Sequence, residues 1–318
     1  MMNILFIIGN GFDLNLGLKT GYQDFYEYYI KQKSSSDVVK RLKEHLEKER
    51  FKIWSDMELG MGAYTAYVNS VVEFEEVCHD LSLSLRQYLT DVQAGFTSLP
   101  SETQLLHEYL GSPQSGLLEG NARAVIDFLN DGTARNINVI SFNYTNTFER
   151  LSGFKGRFLN LEGRGILRSI RHIHLSLNDT DVILGVNDES QIENKDLVVP
   201  EVFDLLIKPH INEQLGTLVD VECRNLIREA NLICLFGVSI GDTDKCWWKE
   251  IGNNMIKSSK RIIYYTYDLD TPHFNNQLIG KRRDYLNRLL QKCDLPLNDK
   301  DILSRVFVGY KTNFFKIR

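Results

Sequence analysis

The segment 3–8, Asn-Ile-Leu-Phe-Ile-Ile, is a short apolar run that stops at Gly9-Asn10-Gly11. A run of that length bounded by turn residues reads as a strand buried on both faces of a parallel sheet. Helical patterns follow at 22–33 and 37–50, the second so heavily charged that it reads as a solvated face rather than a nucleic-acid contact. A long pattern over 64–95 places Val71, Val72, Phe74, Val77, Leu81 and Leu85 at helix-like spacing, and 105–110 and 122–129 continue it. The stretch from about 35 to 130 is therefore expected to be a helical insertion after the first strand. Strand patterns return at 137–142, 170–174, 181–184, 232–236 and 262–267, with helical patterns at 217–230, 243–256 and 274–291. Strands alternating with helices predict an α/β fold with a mainly parallel sheet flanked by helices. The expected organisation is one such domain over 1–318, and no internal repeat is visible.

Polar segments gather where these strands end: GNGFD after the first, SFNYTN after 137–142, HIH at 172–174 and GVSIGDTD after 232–236. Open α/β sheets bind ligands outside the carboxyl ends of their strands, so these four segments are the candidate site. Composition changes this picture little. With 43% hydrophobic and 25% charged residues the 318-residue chain is of ordinary globular composition. The net charge of −5 argues against a protein built to grip phosphate backbones, so nucleic acid is not the expected partner. The five cysteines are scattered with no CxxC pair, which fits buried small hydrophobes rather than a zinc site. The first apolar run is too short for a signal peptide or a membrane span and has no basic stretch before it, so a cytoplasmic protein with no membrane partner is expected.

Gly9-x-Gly11 after a buried strand suggests backbone donors open to a phosphate at a helix start. On this reading a side chain at Gly11 would block the phosphate and leave the fold largely intact. Leu14 stands where the dinucleotide fingerprint needs its third glycine, and no GxxxxGK[ST] loop is present. The wider spacing is more informative. Gly9, Gly11 and Gly17-Leu18 match the Gly-Ala-Gly-Ile-Ser-x-x-x-Gly-Ile-Pro positions of sirtuins, with Asp13 at the serine and Lys19 at the proline. Ser141-Phe142-Asn143-Tyr144-Thr145 resembles the Thr-x-Asn-x-Asp segment of the sirtuin-like NAD site. His172-Ile173-His174 resembles its histidine segment, and Gly237-Val238-Ser239 with Asp242 its late Gly-x-Ser-x-x-Asp loop. Within that group, IIGNGFDLNLGLKTGYQDF, Trp54-Ser55-Asp56-Met57-Glu58, SFNYTNTFE and FGVSIGDTD together resemble the AbiH family of phage abortive infection proteins. Leu175 departs from the glycine that often follows the histidine, and Val238 from the histidine that often precedes the serine.

The resemblance implies a Rossmann-like, sirtuin-type fold, a role in anti-phage defence, and NAD or a related nucleotide as ligand or substrate. It implies Asn143, His174 and Asp13 as catalytic residues. The nucleotide-binding residues it implies are Gly9, Asn10, Gly11, Phe12, Gly237, Ser239, Asp242 and Asp244. Asn143 would orient ribose or water, His174 would act as general base, and Asp13 would face positive charge on the sugar. No metal is needed for that chemistry. Other roles stay open: Asn143 and Asp242 as helix caps, and one of His172 and His174, which share a strand face, as a core histidine. Trp54, Asp56 and Glu58 read as an exposed helix end rather than a functional carboxylate pair. Trp247-Trp248 reads as core or a subunit contact. A nucleotide sensor that signals through the 35–130 region, to a second copy or a partner protein, is the alternative to an enzyme. A metal-dependent nuclease using His172, His174, Asp13 and the Asp242/Asp244 pair ranks behind both.

Overall fold

The computed structural model describes residues 1–49, 52–130, 134–179, 181–266, 275–312 and 314–318. The protein is a mixed α/β structure around one seven-stranded sheet flanked by helices. In chain order the strands are β1 (Met2–Ile8), β2 (Arg135–Ser141), β3 (Leu159–Asn160), β4 (Ile166–His172), β5 (Leu232–Phe236), β6 (Arg261–Thr266) and β7 (Val306–Tyr310). Their order across the sheet is β3-β4-β2-β1-β5-β6-β7, parallel throughout except for the short β3 against β4. The chain thus works outward from β1 in one direction, returns to β5 on its other side, and works outward again. The loops after β1 and β5 are neighbours at that reversal.

β1 is central because its sequence suits burial on both faces. Ile4, Phe6 and Ile8 join one core cluster with Ile137, Val139 and Cys234, while Leu5 and Ile7 join another with Ile140, Ile233 and Leu235. That is the period of two of a strand, read directly from alternate residues. Between β1 and β2 the described chain is helical, with helices Asp37–Glu49, Met57–Tyr64, Val71–Ala94, Pro100–Gly111 and Glu119–Leu129 among its elements. A third cluster, including Trp54, Met61, Phe74, Leu81 and Leu89, packs much of this region against Tyr144 and the 182–207 segment.

Several boundaries differ from the sequence expectation. The 64–95 pattern is two helices, because Ser70 caps the second: its hydroxyl accepts the Glu73 amide at 3.2 Å while Glu73 Oε2 accepts the Asn69 amide at 2.9 Å. Residues 181–184 are not a strand. Val182, Ile183 and Leu184 are buried but pair with no strand among the described residues, and the Ile183 amide donates to the carbonyl of His174 at 2.9 Å. β7, read from sequence as nothing, pairs in parallel with β6. The last residue of the expected 262–267 strand, Tyr267, lies outside the described residues. No helix among the described residues is long and apolar enough to cross a membrane.

Candidate functional site

The loops after β1, β2 and β5 meet at the carboxyl end of the sheet and enclose a cleft with a cavity volume of about 180 Å³. Cavities of about 150 Å³ accept benzene, so this one has room for a ring-sized group, and a larger ligand would extend through its mouth. Gly9 and Asn10 line it from the β1 loop, Phe142 to Thr145 from the β2 loop, and Gly237, Val238, Ser239, Thr243 and Asp244 from the β5 side. The helical region supplies Tyr22, Asp56, Glu58, Leu85 and Leu89.

The glycines of the β1 loop serve a close crossing of backbones. Gly9 donates its amide to the carbonyl of Phe236 at 3.0 Å, and Gly11 to that of Gly237 at 2.9 Å. A Cβ on Gly11 would lie 2.5 Å from Gly237 Cα, and Gly237 itself has φ +66°, where only glycine is comfortable. The two amides expected to face a phosphate are therefore already bonded, and Asn10, between them, lines the cleft. The expectation that a side chain at Gly11 leaves the fold largely intact is corrected accordingly. Gly11→Val should lower the melting temperature whether or not a nucleotide is present, by about 1–3 kcal/mol or more of stability. An unchanged melting temperature would contradict the interlocked loops.

Asn10 is held by Thr20, whose hydroxyl donates to Asn10 Oδ1 at 2.5 Å while Asn10 Nδ2 donates to the Thr20 carbonyl at 3.0 Å. Phe12 is fully buried against Phe148, Phe236 and Phe315 and belongs to the core rather than the cleft. Asp13 is also buried and lies beneath the cleft floor, accepting a hydrogen bond from the Thr145 hydroxyl. Burial raises its pKa to about 6, against the pull of Thr145, Thr147, Asn143 and His172.

Asn143 lines the cleft at 7% exposure, and its Oδ1 has no hydrogen-bond partner among the described residues. It caps no helix; the nearby helix Thr147–Ser152 begins after Asn146. Its backbone is fixed instead, the amide donating to Ser141 Oγ at 3.2 Å and the carbonyl lying 2.7 Å from His172 Nδ1. His172 Nε2 is 2.7 Å from Glu149 Oε1. Burial opposes the charged form of this ring, but Glu149 outweighs it and the pKa is raised.

The two histidines do not share a strand face, because β4 ends at His172 and His174 lies in the turn beyond. His174 is buried, with Nε2 3.1 Å from Asp244 Oδ1 and Phe142 edge-on at 5.4 Å. Burial and the Lys208 charge lower its pKa. Neither ring lines the cleft. Leu175, next in the turn, has φ +59°, a left-handed conformation that explains why glycine suits this position.

Ser239 is exposed at the mouth of the cleft. Asp242 is exposed outside it, paired with Lys292 at 2.5 Å, and neither it nor Asp244 makes a side-chain cap. Trp248 is buried on the cleft wall, stacked on Phe142 with ring centroids 5.4 Å apart. The cysteines are unpaired, and all but Cys246 are buried.

The largest correction concerns Trp54-Ser55-Asp56-Met57-Glu58. Trp54 and Glu58 are buried, and Asp56 and Glu58 face the cleft. Asp56 Oδ1 caps helix Met57–Tyr64, accepting the amides of Glu58 at 3.0 Å and Leu59 at 3.2 Å. Beside them stands Lys208, which sequence reasoning missed altogether. Its Nζ lies 2.7 Å from Glu58 Oε2 and 2.9 Å from Asp244 Oδ1, all three side chains being largely withdrawn from solvent. Burial raises the pKa of Glu58, with the charges of Asp244 and Asp56 adding to it and Lys208 opposing. Burial would raise Asp244 too, but Lys208 and His174 outweigh it and hold that carboxylate ionised. A lone lysine directly after Leu205-Leu206-Ile207, and an aspartate opening an apolar helical run, are the signals that mark these positions.

Fold and site together define an α/β protein with a small, acid-lined cleft at the carboxyl ends of a mainly parallel sheet. The chain belongs to the bacteriophage abortive infection AbiH family, whose model matches residues 5–267. The match spans every cleft residue named above, and membership implies a part in abortive infection, the defence of a bacterial population against phage. No curated protein matches the chain.

Proposed function

We propose that the cleft binds NAD or a related nucleotide and hydrolyses its nicotinamide–ribose bond, depleting the nucleotide in an infected cell. The observation that carries this reading is Asn143, whose buried, unpartnered Oδ1 lines a cleft where Asp56, Glu58 and Asp244 supply negative charge. An orphaned acceptor of this kind fits a ribose hydroxyl or a bound water. Two further features support a sirtuin-type, Rossmann-like assignment. Leaving β3 aside, the parallel strands lie in the order third, second, first, fourth, fifth, sixth, which is that of doubly wound dinucleotide-binding sheets. The cleft also sits at the reversal between β1 and β5, where such sheets bind their ligands.

The chemistry suits these residues. Breaking the bond moves positive charge from the pyridinium ring to the sugar, and the ring leaves as a neutral molecule that needs no acid. Asp56, Glu58 and Asp244 line the cleft and outnumber Lys208, which stands beside them, so the cleft's field favours a positively charged sugar. Asn143 would hold the ribose or the water. With the Gly9 and Gly11 amides engaged, the pyrophosphate would rely on Asn10 and the cleft mouth.

A sensor is the second reading, favoured by Leu85 and Leu89: helix Val71–Ala94 forms part of the cleft wall, so occupancy would be felt in the helical region. The nuclease reading loses support, because its candidate ligands turn to separate partners: Asp13 to Thr145, His172 to Glu149, Asp242 to Lys292. Purified protein incubated with NAD and EDTA should release free nicotinamide at the rate seen without chelator. Binding of NAD with no nicotinamide released would give first place to the sensor.

A further inference from the structure

We propose that Glu58 is a catalytic residue of this site, a cleft carboxylate fixed by Lys208 that takes the proton from the water attacking the ribose. The inference rests on the glycohydrolase reading and names the base that reading lacks, since His174 does not line the cleft.

The carboxylates lining the cleft, among the described residues, are Asp56, Glu58 and Asp244. They are not equivalent. Asp56 is committed through Oδ1 to the two amides at the start of helix Met57–Tyr64. Asp244 faces two cationic or donor groups on a single oxygen, Lys208 Nζ at 2.9 Å and His174 Nε2 at 3.1 Å, and so stays ionised and is a weak proton acceptor. Among the described residues, Glu58 is held through Oε2 alone, at 2.7 Å from Lys208. Burial raises the proton affinity of Asp56 as well, but it pushes the pKa of Glu58 up to about 7, and a general base works best when its affinity lies near the working pH.

The surroundings of Glu58 fit that task. Lys208 reaches it from helix Lys208–Gln214, Asp244 from the turn after β5, and Asp56 from its own segment. The Glu58 charge acts in turn on Tyr22 and Tyr144, whose hydroxyls are kept neutral chiefly by burial. Removing a lysine and two carboxylates from water is unfavourable unless their attraction offsets it, and well-packed apolar groups often fill such a space at no loss of stability. Their presence at a cleft wall is better explained by use.

The step balances without a further reagent. The water oxygen forms a bond to ribose C1′ as the C1′–N bond breaks, and the bonding pair stays with the ring nitrogen, so nicotinamide leaves neutral. The water proton passes to the Glu58 carboxylate and then to solvent. Lys208 acts through Glu58 and is a positioning residue.

The test compares wild type, Glu58→Gln and Glu58→Asp for nicotinamide release across pH and for thermal stabilisation by NAD. Wild-type turnover should rise with pH as Glu58 loses its proton. Glu58→Gln should keep stabilisation by NAD, lose about 10²–10³-fold in kcat, and lose the acidic limb. Glu58→Asp keeps the charge beside Lys208 but withdraws the carboxylate, so it should keep the limb with kcat reduced by up to about 10²-fold. Wild-type kcat and an unchanged limb in Glu58→Gln overturn the inference and leave the glycohydrolase reading standing. If Glu58→Gln does not fold, wild-type kcat in Glu58→Asp overturns it instead. A wild-type protein that releases no nicotinamide overturns both readings, and that arm alone reports it.

Discussion

Asn143→Ala should fold as the wild-type chain does and release nicotinamide from NAD about 10²–10³ times more slowly, the usual cost of one positioned polar group, roughly 3–4 kcal/mol of transition-state stabilisation. Folding should survive because two of the bonds that fix this residue belong to its backbone: the amide to Ser141 Oγ and the carbonyl to His172 Nδ1. Alanine keeps both. The side-chain Oδ1 has no partner among the described residues, so its removal strands no donor, and the Asp13 carboxyl that loses the Asn143 side chain keeps Thr145 and Thr147. Thermal stabilisation by NAD should fall much less than turnover, since most of a dinucleotide's contacts lie elsewhere. Equal losses in both would make Asn143 a binding residue and remove its place in the reaction.

Lys208→Met should be the most destabilising single change around the cleft, by about 3–5 kcal/mol, because it leaves Glu58 and Asp244 buried without their cation. A melting temperature lower by roughly 10 °C would follow. The pH dependence has a definite sign. Without Lys208 the folded-state pKa of Glu58 rises further above its unfolded value, so the penalty is absent below the unfolded pKa and grows as pH rises through the folded one. The gap between variant and wild type should therefore be wider at pH 8 than at pH 5. Denaturant unfolding at the two pH values measures it, and a gap that is small or independent of pH would mean that the three charges do not interact as their separations indicate.

The sheet was legible where the chain speaks in short, doubly buried runs. β1 and β5 stand almost where periodicity puts them, because a strand covered on both faces must be apolar throughout. Segment 181–184 misled for the same reason: Val182, Ile183 and Leu184 are buried, but burial alone does not supply a pairing partner. The site was legible in its location and less so in its contents. The loops after β1, β2 and β5 do meet, yet Gly11 is a glycine on account of Gly237, more than two hundred residues away, a contact no local pattern records. Phe12 and Asp13 sit beside the right glycines and point into the core or beneath the floor. Asp56, Glu58 and Lys208 come from segments whose burial depends on the packing of the helical region, and a charged residue read locally is assigned to solvent.

Nucleotide loss in a phage-infected bacterial host tests the central claim most directly. Cells expressing the wild-type chain should show falling NAD and rising nicotinamide after infection, while cells expressing Asn143→Ala at the same level should show neither and should lose protection. NAD that stays level in both strains while the wild-type chain still protects would contradict an NAD-destroying enzyme.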